Sequence, residues 1–107
     1  MIENIELENV DMEIIANAGA AKGKAFEALD AAKNKDFDLA DNYLKEAEES
    51  LHLAHSSHFD LLQMGTNKSL EFLDILTTHS QDHFMAAMLA IDLIREMVEM
   101  YKIFYSY

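Results

Sequence analysis

Three side chains able to take up a phosphoryl group, a proton or a metal ion stand together in the run His79-Ser80-Gln81-Asp82-His83. His79, Asp82 and His83 are related as i, i+3 and i+4, a spacing that puts all three on one helical surface within mutual reach. Their types allow three readings. A neutral imidazole, titrating at about 6.5 when unperturbed, can attack a phosphoryl donor and later release the group; a polar neighbour can fix its tautomer. Asp82 and His83 are the candidates for that support. Two histidines four apart can also ligate zinc, but a metalloprotease helix carries Glu directly after the first His, and Ser80 stands there. The third reading is a partly buried polar layer without chemistry.

The elements that must carry these residues are helices. Proline is absent and the three glycines fall at Gly19, Gly23 and Gly65, so little interrupts a helical chain. From about Asp11 to Ala32 the small or apolar residues Ile14, Ala18, Ala21, Ala25, Leu29 and Ala32 recur three or four apart and predict a first helix. Its stripe is mostly alanine, and with Gly19 and Gly23 nearby it predicts close approach of a neighbouring helix. Residues 1–10 show no strong pattern and are expected to be frayed or extended. Lys33-Asn34-Lys35-Asp36 predicts a short turn, with Asp36 as N-cap of the next helix. The second helix follows Phe37, Ala40, Leu44, Ala47, Leu51, Ala54, His58 and Leu61, antiparallel to the first. Gly65 is expected at its C′ position, with Thr66 or Asn67 capping a third helix from about Lys68 to near the C-terminus. The fold class is therefore all-α, a three-helix up-down-up bundle forming a single domain over residues 1–107.

The third helix is apolar on more than one side. Phe84 to Ile91 is an unbroken apolar run that wraps more than two turns. Two seams can be traced through it. One follows Leu73, Leu76, Ser80, His83, Ala87, Ala90, Ile94, Met97, Tyr101 and Phe104. The other follows His79, Asp82, Ala86, Leu89, Leu93, Met100 and Ile103. A three-helix bundle covers only one of these, and a long apolar strip left in water predicts self-association through this helix. His79, Asp82 and His83 would then lie near a subunit interface.

Composition narrows the partners. With 8 Lys+Arg against 20 Asp+Glu the net charge is −12, which repels nucleic acid and anionic membranes. The absence of cysteine removes disulfides and thiolate chemistry. The acidic start Met1-Ile2-Glu3-Asn4-Ile5-Glu6 is unlike a secretory signal, and the expected location is cytoplasmic.

His79-Ser80-Gln81-Asp82-His83-Phe84-Met85 resembles the His-Ala-Gln-Asp-His-Leu-Met signature of lactose/cellobiose-type enzyme IIA components of the bacterial phosphotransferase system. Ile14 to Ala21, Glu27 to Lys33, Asp36 to Ala40, Ala54-His55 and Leu61-Leu62-Gln63 are similar to the same family, so the resemblance runs from Ile14 to Lys102. Two-component phosphotransfer bundles instead resemble His-x-x-Lys-Gly, where this chain has Asp82 and His83. The resemblance implies a nine-helix homotrimer with the third helix innermost. It implies that His79 accepts phosphate from the carrier protein HPr and passes it to the cysteine of the cognate enzyme IIB, with His83 as a supporting neighbour. The membrane would be met only indirectly, through enzyme IIC, and the sugar would be a β-linked disaccharide of the lactose, cellobiose or chitobiose class. Asp82 would lie on the three-fold axis, where one Mg2+ per trimer relieves the repulsion between three carboxylates. The alternatives are a non-catalytic helical adaptor or a metal-binding bundle. Several positions depart from the family pattern. Ser80 and Phe84 replace Ala and Leu, Asp74, Thr77 and Thr78 make the approach to His79 more polar, and His58 stands where Gln is expected. His58 is read as a core histidine or a site-lining one; His55 matches a family position, and His52 is read as solvated.

Overall fold

A computed structural model describes residues 2–66 and 75–107, with side chains described over 6–63 and 76–107. Three helices account for nearly all of them: α1 (Ile2–Lys33), α2 (Phe37–Thr66) and α3 (Ile75–Tyr105). No strand occurs among the described residues.

Each helix buries residues in alternating steps of three and four, the spacing that keeps one stripe facing a neighbour. On α1 these are Leu7, Asp11, Ile14, Ala18, Ala21, Ala25, Ala28 and Ala32. On α2 they are Ala40, Leu44, Ala47, Ala54, Ser57 and Leu61, with Phe37, Leu51 and His58 half-buried; all but Ser57 belong to the stripe the sequence pattern predicts. Alanine dominates the α1 stripe and recurs at Ala40, Ala47 and Ala54 on α2, so α1 and α2 pack closely, and α1 packs along both other helices more extensively than α2 packs on α3. The two glycines contribute nothing to that approach. A Cβ at Gly19 or Gly23 would meet nothing within 4 Å, because both lie on the exposed side of α1.

The α1–α2 turn is held by its own hydrogen bonds. The Asp36 amide donates to the Ala31 carbonyl at 2.9 Å and the Lys35 amide to Ala32 at 3.0 Å, the paired closure of a Schellman motif. Lys35 occupies the left-handed position with φ 63°, where glycine is the usual residue. Its ammonium lies 4.7 Å from the Tyr105 ring centroid. Asp36 then caps α2, its Oδ1 accepting the Leu39 amide at 3.3 Å.

Contacts at both ends fix the direction of α3. At one end Lys102 Nζ donates to Asp41 at 2.9 and 3.1 Å, and the Tyr105 hydroxyl donates to the Lys33 carbonyl at 3.2 Å. At the other end Thr77 and Ser80 meet Asp11. α3 therefore runs parallel to α1, giving an up-down-up rod about 59 Å long.

Four expectations need correction. α1 begins at Ile2 rather than near Asp11, because Leu7 and Asp11 continue its buried stripe and residues 2–10 are helical. α2 passes through Gly65 to Thr66, so Gly65 does not terminate it. The inner seam of α3 is Thr77, Ser80, Phe84, Ala87, Ile91, Ile94 and Val98; Met97 and Phe104, assigned to it from sequence, are exposed, and His83 and Ala90 are half-buried at its edge. Gly19 and Gly23 are not at a helix contact. The Asn67 cap, the Lys68 start of the third helix, Leu73 and Asp74 lie outside the described residues.

The second seam stays uncovered in the protomer. Leu89 is 60% exposed and Met100 66%, with Leu93 and Ile103 similarly open. Since Gly23 faces open space at an ordinary helical position, Gly23→Ala should raise unfolding free energy by about 0.5–1 kcal/mol, read as a higher urea midpoint.

Candidate functional site

The polar cluster sits near the start of α3, where the uncovered seam begins. Ser80 points inward, which turns His79 and Asp82 to the exposed side and leaves His83 half-buried between them and the core. His79 and His83, one turn apart, meet edge to face with ring centroids 4.5 Å apart. Their Nε2 atoms are 3.0 Å apart. Such a contact needs one Nε2 to donate and the other to accept, so the two rings adopt complementary tautomers. Of the two supports considered for His79, it is His83 that touches it.

Asp82 is exposed and heads the open strip Ala86, Leu89, Leu93. Among the described residues of one chain, no three His, Asp or Glu side chains are arranged to hold a metal ion. The cation site that the family resemblance implies for Asp82 would draw its carboxylates from separate chains. An exposed carboxylate at the head of an apolar strip fits that arrangement, since copies brought together along the strip would otherwise set like charges side by side.

The turn carrying His79 is tied inward by Thr77 and Ser80, two of the departures from the family pattern, and by Asp11, which the sequence marked only as the start of the first helix. Thr77 Oγ1 donates to Asp11 Oδ2 at 2.9 Å. Ser80 Oγ lies 3.1 Å from Asp11 Oδ1 and 2.8 Å from the Thr77 carbonyl, and its one hydrogen serves these two acceptors. All three residues are buried. The available signal was a carboxylate in phase with Leu7, Ile14 and Ala18, matched by two hydroxyls in phase with the inner seam of α3. On the neighbouring face His58 stacks on Phe84, with ring centroids 4.8 Å apart and an 18° interplanar angle, and His55 lies 5.9 Å from the same ring. His52 is exposed, as the helical drift of the 52, 55, 58 series requires.

With that geometry established, comparison with known proteins is decisive. The family model for the lactose/cellobiose-specific IIA subunit of the phosphotransferase system matches residues 9–102. The chain belongs to that family. The lactose-specific EIIA component of Staphylococcus epidermidis is 37% identical over 97 residues, covering 91% of this chain and 93% of that one. The crystal structure of the cellobiose-specific enzyme IIA from Bacillus anthracis superposes with TM-score 0.87 at 30% identity, over 94% of this chain and 92% of that one. The chitobiose-specific IIA of Escherichia coli, solved in complex with HPr, gives TM-score 0.76 at 29% identity, over 92% and 96%. The chain thus shares its all-helical architecture with IIA components named for cellobiose and for chitobiose. No described helix is long and apolar enough to cross a membrane.

The departures from the family pattern now pair up in space. Phe84 and His58 are two sides of one stacked contact, and Ser80 and Thr77 share the Asp11 carboxyl. Burial, and then the neighbouring His55 charge, lowers the His58 pKa below its ordinary 6.5. The folded state therefore favours neutral His58. Its contribution is fully present above the unfolded value and is lost as pH falls through the lower folded value. Urea midpoints should fall between about pH 7.5 and about pH 5, and His58→Gln should make that fall shallower. An unchanged slope would mean that His58 does not titrate with folding.

Proposed function

We propose that this chain is the phosphoryl carrier of a sugar phosphotransferase system, accepting phosphate from phospho-HPr on His79 and passing it to the cysteine of enzyme IIB. The single observation that carries the proposal is the exposed His79 ring, joined at 3.0 Å to the half-buried His83, on the helix that bears the motif in a chain of this family. In the first step a lone pair of the neutral His79 ring forms a nitrogen–phosphorus bond as the corresponding bond in phospho-HPr breaks, and HPr leaves as a neutral imidazole. In the second step a IIB thiolate attacks the same phosphorus and His79 departs as a neutral ring. His83 acts on both sides of the cycle. Before transfer the Nε2–Nε2 contact holds the His79 ring in place; as the nitrogen–phosphorus bond forms that contact opens, and a His83 N–H can then donate to a phosphoryl oxygen. Placement on the exposed surface suits a group that two protein partners must reach in turn.

The working particle in this proposal is a homotrimer in the cytoplasm, formed as the uncovered strips of three α3 helices meet. Asp82 would hold one Mg2+ at the shared axis, where the cation would offset most of the charge of three carboxylates and relieve their repulsion; its role is to let the assembly form. Contact with the membrane is indirect, through enzyme IIC. The sugar class is a β-linked disaccharide, in keeping with relatives named for lactose, cellobiose and chitobiose.

The carrier reading separates from a helical adaptor by labelling. Incubation with phosphoenolpyruvate, enzyme I and HPr should give an acid-labile phosphoryl label that disappears in His79→Ala and drops without vanishing in His83→Ala. Wild-type protein that takes no label would refute the carrier role. Light scattering should read a trimer for wild type and about a third of that mass for Leu93→Glu, because a charge in the strip cannot be buried. Chelation of Mg2+ should lower the melting temperature of wild type and leave that of Asp82→Ala unmoved.

A further inference from the structure

We infer that Asp11 is a positioning residue for His79, acting through Thr77 and Ser80. The inference rests on the carrier reading and adds to it a residue from α1, far from the motif in sequence. Asp11 is completely buried, as are Thr77 and Ser80. Thr77 and Ser80 bracket His79 at i−2 and i+1, and both reach the same carboxyl, one oxygen each, at 2.9 and 3.1 Å.

Two hydroxyls on successive turns fix more than distance. Successive helix residues are turned by about 100°, so a roll of α3 by one position would withdraw both hydroxyls from Asp11. The carboxyl thereby sets which way this turn faces, and so the aim of His79 and its register against His83. Apolar contacts alone hold this rotation poorly here. Downstream the helix is apolar on most sides from Phe84 to Ile91, and sliding or rolling such a surface costs less than breaking buried hydrogen bonds. The same clamp accounts for Ser80 standing where the family signature has Ala, and for the polar Thr77 before it.

Support of this kind shows in the transfer step rather than in partner binding. Asp11→Ala should slow label transfer from phospho-HPr by about 10- to 100-fold in kcat, with KM for phospho-HPr little changed. Asp11→Asn, whose amide oxygen still accepts one hydroxyl, should recover most of that loss. Ser57→Ala removes a different polar link to α1, the 3.1 Å bond from Ser57 to Glu13, and should transfer at the wild-type rate. Nitrogen NMR of the histidine rings reports on orientation without any phosphate: the His79 and His83 ring signals should shift together in Asp11→Ala and stay in place in Ser57→Ala. Thr77→Val serves the same purpose if Asp11→Ala does not fold. A folded variant with wild-type transfer and unshifted ring signals would overturn the inference. Failure of wild type to accept label would instead remove the carrier reading, and the ring signals would then decide the positioning role alone.

Discussion

The third helix has more apolar surface than one protomer can cover, and the rest of the structure is arranged around that constraint. Its inner seam, Thr77 through Val98, packs on the alanine stripe of α1 and the buried face of α2. Its second strip, with Leu89, Leu93, Met100 and Ile103, is left in water. A strip of that length asks for a partner, and the simplest partner is another copy meeting it along the same strip. His79, Asp82 and His83 stand at the head of that strip, at the edge where packed core, open surface and subunit boundary would join.

The small residues of α1 and the buried carboxyl of Asp11 are complementary devices. Alanine at Ala18, Ala21, Ala25, Ala28 and Ala32 lets helices approach closely but gives little directional preference, since a methyl group makes few contacts that a small roll would lose. Asp11 supplies the direction at the end of the bundle that carries His79 and His83. At the opposite end Lys102 on Asp41 and Tyr105 on the Lys33 carbonyl do the same work with exposed groups. Bond by bond those exposed ties are weaker, so the rotation of α3 is set most firmly beside His79.

Much of this was legible in the sequence. The α2 stripe, the Lys33–Asp36 turn with its Asp36 cap, the all-helical class and the meeting of His79 with His83 all follow from local spacing and residue type. The inner seam of α3 did not. Along Phe84 to Ile91 no polar residue marks the phase, so a seam through His83, Ala90 and Met97 reads as well as the true one through Phe84, Ile91 and Val98. The beginning of α1 was hidden for another reason. Asp11 looks like a helix edge until its partners are known, and these lie 66 and 69 residues away. Gly19 and Gly23 suggested a close helix contact that the geometry places on the open side instead.

The central claim joins two properties: one phosphoryl group per chain on His79, and three chains per particle along the open strip. Native mass spectrometry of the protein after incubation with phosphoenolpyruvate, enzyme I and HPr reads both at once. The account predicts a trimer carrying up to three phosphoryl groups, each mapped to the peptide containing His79. A monomer, or a trimer whose phosphate maps to any other residue, would contradict it.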